Sequence, residues 1–391
     1  MSAANQGEVR EAGGTDPTGS VPMDAYDYGL PDAAIAQAPI EPRSAARLLV
    51  SGRVSSSGAM EHATVADLPT LLRTGDVLVV NDTRVLAARL QLVKVTGGEA
   101  EVLLLEPIDG SGSRWEALVR PGRRLPPGTL LHEPVTGTAD GAGGTVRDGA
   151  PPGEPVVEIG QPMPGHDDSR RSVQLIDPTV IERSGLMPLP PYIHRRLDDP
   201  ERYQTVYAAD REPGGRSTAA PTAGLHFTPE LLQACREAGA EVMTVDLAIG
   251  LDTFRPITAP TPEEHLIHTE RYRVPAATLD ACVAADRVVA VGTTVVRALE
   301  SAATTGRLSG RTDLFIYGDH SFRVVDLLVT NFHLPRSSLL LMVEAFCGPE
   351  WRQLYAAALA EGYRFLSFGD AMVVGRAGPK GRPVARVEPG R

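Results

Sequence analysis

The chain changes its hydrophobic pattern part-way along, and that change limits the folds open to it. From residue 75 to about 120 the apolar runs are short and rich in Val and Leu (DVLVV, AEVLLLE, RWEALVR), with Gly97-Gly98 and Asp109-Gly110 among the turns between them. Short β-type runs broken by turn dipeptides predict antiparallel strands. Residues 125–165 hold 17 Gly or Pro in 41 positions, too many for helices, and extend the same all-β unit. From about residue 217 the pattern becomes strand, turn, helix. Thr228-Pro229-Glu230 supplies an N-cap, a proline at the first helical position and an early acid, and Gly239 closes that helix before EVMTVDLAI. The alternation returns in RVVAV, Gly292-Thr293-Thr294 and VVRALES, then in FRVVDLLVT, NFHLPRS and SLLLMVEAF ending at Gly348. Such recurrence predicts an α/β layer with a mainly parallel sheet.

At 391 residues and 42% apolar content the chain exceeds one average domain. The boundaries read from the pattern are a disordered tail at 1–22, an α/β main domain at 23–74 and 181–374, an inserted all-β domain at 75–180, and a basic flexible tail at 375–391. A net charge of −11 argues against binding nucleic acid through bulk charge, so any RNA contact needs a local basic patch. Three scattered cysteines exclude a disulfide framework and a Cys-x-x-Cys metal site. With no apolar run of membrane-spanning length and no apolar leader, the expectation is a soluble cytoplasmic protein without a membrane partner. Phosphate-loop, dinucleotide-fingerprint, nucleophile-elbow and zincin motifs are absent.

What remains is a set of polar clusters at predicted strand ends, where open α/β sheets place ligands. In VVNDTRV a strand runs into Asn81, Asp82, Thr83 and Arg84, as a site or as a plain turn. AAPTAGLHFT presents His226 behind Thr222 and Gly224, and a lone His beside Phe is equally a core residue. His265 and His268 at helical spacing, with Glu270, suit a general base tuned by a carboxylate, a metal pair short of a fourth ligand, or a salt-bridged surface. Gly292-Thr293-Thr294 opens a helix whose free N–H groups attract anions, or Thr simply caps it. Asn331, Phe332 and His333 at one strand end suit a purine. Asp370, in an apolar run, is either buried and paired or functional. No metal is expected.

Together and in order these segments resemble the S-adenosylmethionine:tRNA ribosyltransferase-isomerase family. The carrying strings include VLVVNDTRVLAARL, AAPTAGLHFT, HLIHTERY, VGTTVVRALES, VTNFHLPRSSLLLMV and YRFLSFGDAM, within about residues 24 to 374. The resemblance implies an α/β/α layered main domain with an inserted small antiparallel β-barrel-like domain. It also implies that S-adenosylmethionine, as substrate, gives its ribosyl group to a tRNA carrying 7-aminomethyl-7-deazaguanine, with adenine and methionine leaving. By this resemblance the catalytic candidates are His226, His268, Glu270, His333 and Asp370. The substrate-binding candidates are Asn81, Asp82, Thr83, Arg84, Thr222, Gly224, Gly292, Thr293, Thr294, Arg297, Asn331 and Phe332. Base and acid remain unassigned among the catalytic set.

The chain departs from the family pattern at several places: Ala248 for His, Asp252 for Gly, Val295 for Ser, His194 for an acid, Arg216-Ser217-Thr218, and Tyr317-Gly318-Asp319-His320. The first reading is the tRNA enzyme with tolerated substitutions, Arg114, Arg120, Arg123, Arg124, Arg195 and Arg196 giving the local basic surface. The second is a paralogue that uses S-adenosylmethionine with a small-molecule acceptor, or as its sole substrate. A third, a non-catalytic binding protein on the same fold, is disfavoured by the retained His226, His268, Glu270 and His333.

Overall fold

The structure, a computed structural model, describes residues 21–109, 111–134, 153–164, 168–210, 216–250, 253, 255–379 and 381. The expected tails therefore lie outside the described residues except at their inner ends. There, Arg376 donates to Val325 O at 3.2 Å and pairs with Asp326 at 3.0 Å, so the start of the expected basic tail is held.

The chain forms two units, one of residues 1–83, 190–209 and 220–391, the other of 84–189 and 210–219. The first opens with β1 (Arg47–Val50), β2 (Glu61–Thr64) and β3 (Asp76–Asn81). The second supplies β4 (Arg84–Val85), β5 (Arg89–Lys94), β6 (Glu99–Pro107), β7 (Arg114–Arg120), β8 (Leu130–His132), β9 (Pro155–Pro162) and β10 (Arg170–Leu175), then helix α1 (Val180–Ser184), β11 (Gly185–Leu186) and β12 (Arg216–Ser217). The chain returns to the first unit with α2 (Pro229–Glu237), β13 (Glu241–Leu247), β14 (Glu270–Arg273), α3 (Ala276–Ala284), β15 (Arg287–Val291) and α4 (Thr293–Thr305). It ends with β16 (Ser309–Thr312), β17 (Leu327–Asn331), α5 (Ser338–Cys347), α6 (Glu350–Ala360) and β18 (Ala371–Gly375).

In the second unit β5, β6, β7, β10, β9 and β8 pair antiparallel in that order, and β5 pairs back to β8 to close a six-stranded barrel. The strands alternate as a barrel wall must, with Trp115, Ala117 and Val119 of β7 and Val173 and Leu175 of β10 buried between more exposed neighbours. Closure removes the sheet edges that would otherwise template pairing with other chains.

The first unit carries a nine-stranded sheet in the order β16-β14-β13-β3-β15-β17-β18-β1-β2. It is parallel from β13 to β17 and between β18 and β1, but antiparallel at β17–β18 and at both margins. The expected mainly parallel sheet is thus mixed. Leu78, Val80, Val289, Val291 and Val329 pack with Leu231, Leu232 and Cys235 of α2 on one face. Val77 and Val79 alternate to the other, and α3 and α4 pack against β3 and β13.

The units differ from the expected domains at both junctions: 75–83 belong to the first unit, and 181–189 and 210–219 to the second. Asp76–Asn81, expected at the start of the inserted unit, is an interior strand of the large sheet, between β13 and β15, and all six of its residues are buried. A strand covered on both faces reads as an unbroken apolar run, whereas the barrel strands after it alternate. That difference, and not β-propensity, separates DVLVV from RWEALVR.

Candidate active site

Because β13, β3, β15 and β17 are parallel, their C-terminal ends fall on one edge of the sheet, at Leu247, Asn81, Val291 and Asn331. Antiparallel β18 brings its N-terminal end to the same edge, with Ala371 opposite Asn331, and Leu48 of β1 pairs Ala371 in turn. Topology thus gathers polar residues that are far apart in sequence, as open α/β sheets do around ligands.

Asn331 is the node of this edge. Its Oδ1 accepts from Thr222 Oγ1 at 3.0 Å, and its Nδ2 faces His226 Nε2 at 3.2 Å and the Asp370 carbonyl at 3.4 Å. His226 closes the 3-10 turn Thr222–His226 and is buried, so burial lowers its pKa from 6.5 to about 4; the Asp370 charge opposes that shift, and Arg364 and Arg43 reinforce it. His333 is also buried, which lowers its pKa to about 3. Its Nε2 meets Thr330 Oγ1 at 2.9 Å, its backbone N–H donates to Tyr355 OH at 2.9 Å, and its carbonyl accepts from Tyr28 OH. Both rings are neutral at pH 7.

The Asp370 carboxylate is spent within the fold. Oδ1 accepts from the Arg47 backbone N–H at 3.0 Å, and Oδ2 accepts from the Arg364 backbone N–H at 2.8 Å and from Arg47 Nε at 3.4 Å. It precedes β18 and ties that strand to β1, so Asp370 is buried and paired.

The His265/His268/Glu270 group separates into parts. No helix forms at 265–269, which removes the shared helical face, and His268 is exposed. A proline-led 3-10 turn (Pro262–Glu264) precedes the stretch, and β14 begins at Glu270. Glu270 instead pairs through Oε2 with Arg297 Nη1 at 2.6 Å, while Oε1 accepts from Gly250 N–H at 3.1 Å and Thr253 Oγ1 at 3.3 Å. Arg297 also donates from Nη2 to His268 O at 3.0 Å and Thr312 O at 3.2 Å. Its guanidinium closes a buried knot between α4, β14 and β16.

Asn81 also serves the fold. Its Nδ2 donates to Leu247 O at 3.0 Å and Thr294 Oγ1 at 3.2 Å, and its Oδ1 accepts from Leu247 N–H and Thr83 N–H. The ends of β3 and β13 and the start of α4 are joined there. The backbone N–H of Asp82 donates to Val245 O at 2.9 Å. Arg84 belongs to the second unit, where β4 pairs β12. Gly292 holds φ 93°, a conformation that favours glycine, and α4 begins without a side-chain cap, so the Thr293 and Thr294 N–H groups have no intrahelical acceptor. Gly224 is required by close packing: a Cβ there would lie 2.1 Å from Tyr207 OH. Phe332 packs its ring on Phe365 at 4.8 Å and Tyr355 at 5.3 Å, as core more than as an open stacking platform.

A small cleft opens beside this edge, lined by Thr222, Asn331, Phe332 and His333 together with Tyr192, Thr253, Ser337, Leu366 and Ser367. The last five were not singled out as site residues from sequence. Tyr192 and Ser367 lie in PPYI and FLSFGD, and their hydroxyls meet at 2.7 Å across the cleft wall. Leu366 adopts φ 67°, unusual for a branched residue, where its N–H reaches Phe332 O at 3.1 Å. Ser337 caps α5 by accepting from Leu340 N–H, as its place before SLLLMVEAF predicts.

Among the described residues no group of three or more His, Cys, Asp or Glu could hold a metal ion, and no helix is long and apolar enough to cross a membrane. Of the departures, Val295 is buried in α4, Ala248 donates its N–H to Arg271 O, His194 is exposed, and Asp252 lies outside the described residues. Val295 is therefore a core residue of α4, and its backbone N–H donates to Gly292 O at 3.2 Å. Arg114, Arg120, Arg123 and Arg124 of the second unit and Arg195 and Arg196 of the first are all exposed. Their ion pairs, such as Arg123–Asp168 at 3.6 Å and Arg195–Asp198 at 3.8 Å, are weak enough to exchange for phosphate.

Comparison with known proteins bears on this geometry. Residues 23–374 match the model of the family described as queuosine biosynthesis protein. The chain is 48% identical over 363 residues to an S-adenosylmethionine:tRNA ribosyltransferase-isomerase of Moorella thermoacetica, covering 90% of this chain and 99% of that one. A protein of the same name from Thermus thermophilus is 47% identical over 365 residues, with the same coverage. A crystal structure of S-adenosylmethionine tRNA ribosyltransferase from Thermotoga maritima matches at 32% identity and a TM-score of 0.47, covering 89% of this chain and 99% of that one.

Proposed function

The chain belongs to the queuosine biosynthesis protein family, and we propose that it is an S-adenosylmethionine:tRNA ribosyltransferase-isomerase. In this reading it moves the ribosyl group of S-adenosylmethionine onto the aminomethyl nitrogen of a 7-deazaguanine in tRNA, and the ribosyl becomes the epoxycyclopentanediol of epoxyqueuosine. Adenine and methionine leave. The observation that carries the reading is the cleft at the sheet edge, where Thr222, Asn331 and His333 from family-like strings meet beside neutral His226.

The chemistry sets demands that this edge suits. A base must reach the ribose 5′ C–H, which the adjacent sulfonium acidifies. Departing adenine needs a proton or a hydrogen-bond donor, and water must be kept from the opened ribosyl group. Buried, neutral imidazoles and hydroxyls supply such groups without bringing charge or bulk water. The exposed arginines offer phosphate contacts that a net charge of −11 leaves to local surface.

The test is release of adenine and methionine from S-adenosylmethionine, with and without tRNA bearing 7-aminomethyl-7-deazaguanine. Release that requires this tRNA, with tRNA binding that weakens steeply as salt rises, is the expected result. Release without RNA would replace the tRNA acceptor with a small molecule or with S-adenosylmethionine alone, and no release under either condition would remove the enzymatic reading.

A further inference from the structure

The hydrogen bonds around Asn331 fix more than its own orientation. Asp370 O can only accept, so the atom of the Asn331 amide that faces it at 3.4 Å is the NH2 group. Thr222 Oγ1 donates to the other side of that amide at 3.0 Å. The second N–H of Asn331 is left to His226 Nε2 at 3.2 Å, and a nitrogen that receives an N–H is unprotonated. Neutral His226 therefore carries its proton on Nδ1, which has no hydrogen-bond partner among the described residues. We infer that Asn331 is a positioning residue that locks His226 in the Nδ1–H tautomer, so that His226 meets bound substrate as a neutral hydrogen-bond donor and not as a base.

Three further features support this assignment. His226 closes a 3-10 turn whose first residue, Thr222, lines the cleft and bonds the same Asn331, so ring and amide are set by one short segment. The charged groups that act on the ring are Asp370, which favours its protonation, and Arg364 and Arg43, which oppose it; burial outweighs the carboxylate and keeps the ring neutral. The Asp370 carboxylate is already taken by Arg47 and Arg364 N–H groups. The role rests on the proposed function for its substrate, but the tautomer does not.

The experiment is a two-bond 1H–15N correlation spectrum of the full-length, histidine-labelled protein at pH 7 without substrate, with the His226 signals assigned by their loss in His226→Gln. The expected result is an unprotonated Nε2 and a protonated Nδ1; an Nε2–H tautomer, a mixture of the two or an imidazolium overturns the inference. Because no substrate is present, this outcome is independent of whether tRNA supports turnover. Asn331→Ala should release the lock to a tautomer mixture and lower kcat by about 100-fold with KM changed little; an unchanged tautomer in this variant counts against the inference. Asn331→Asp, which places a carboxylate beside Nε2, should protonate His226 fully at neutral pH yet leave the acid limb of the kcat profile where it stands in the wild type. An acid limb that follows the raised imidazole pKa would mark His226 as a base and overturn the inference.

Discussion

Two buried polar nodes hold the first unit together, and they differ in what they leave open. At the Glu270–Arg297 node, both carboxylate oxygens and both terminal guanidinium nitrogens are spent on Gly250, Thr253, His268, Thr312 and each other. At the Asn331 node, the amide is satisfied but Nδ1 of His226 has no hydrogen-bond partner among the described residues, and Thr222, Asn331 and His333 line a cleft. The first is a knot that holds a wall and reaches the cleft through Thr253; the second is the wall's working face. A titratable residue in a family-like string can belong to either kind, and only its partners separate the two.

The hardest way to break that contrast is to cut the knot. Glu270→Ala and Arg297→Ala should each cost about 3–5 kcal/mol in urea unfolding, because each leaves the other charge buried without its partner. The double variant should cost clearly less than the sum of the two singles, since the removed groups share one interaction. Single variants that unfold like the wild type but no longer release adenine from S-adenosylmethionine would move Glu270 from the wall to the working face.

Acid should strain the working face next. His226 titrates near 4 in the folded protein against 6.5 when unfolded, so between these values the unfolded chain binds more protons. Its contribution is fully present above pH 6.5 and is lost as pH falls towards 4, about 3 kcal/mol for 2.5 pKa units. His333 acts with the same sign down to about pH 3. Glu300 opposes them: burial raises its pKa, and it weakens the fold as pH rises above its ordinary range. Comparison with His226→Asn isolates the imidazole, and the variant's stability should fall less steeply between pH 6.5 and 4. Equal slopes for the two proteins would mean that the His226 ring is not held neutral by the fold.

Local chemistry carried much of this into the sequence. Thr228 and Ser337 cap α2 and α5 at the positions their motifs predict, and Gly348 ends α5 with φ 68°. The barrel shows in the alternation of RWEALVR. The affiliation of DVLVV did not, because a run covered on both faces carries no period that says which sheet it joins. Histidines three apart suggest a helix, but the stretch runs from a 3-10 turn into β14, where Glu270 pairs with Thr312 of β16. Tyr192 and Ser367 escaped notice because a hydroxyl has no pattern of its own; they meet through the fold, 175 positions apart in sequence.

The smallest effect tests whether Gly224 is wall or working face. The sequence reading made it a substrate-binding residue, yet a Cβ at this position would lie 2.1 Å from Tyr207 OH and 2.9 Å from Thr205 Cγ2. Gly224→Ala should therefore cost roughly 1–3 kcal/mol by overpacking. Tyr207→Phe should cost little by itself, since the buried Tyr207 hydroxyl has no hydrogen-bond partner among the described residues. Placed together, the two changes should be less destabilising than the alanine alone, because the atom nearest the new methyl group has gone. Relief would be incomplete, as the ring carbon that bore the hydroxyl still lies 3.1 Å away. If Gly224→Ala folds with wild-type stability and instead raises the KM for S-adenosylmethionine, the glycine serves the ligand, and the 3-10 turn from Thr222 to His226 is part of the working face along its whole length.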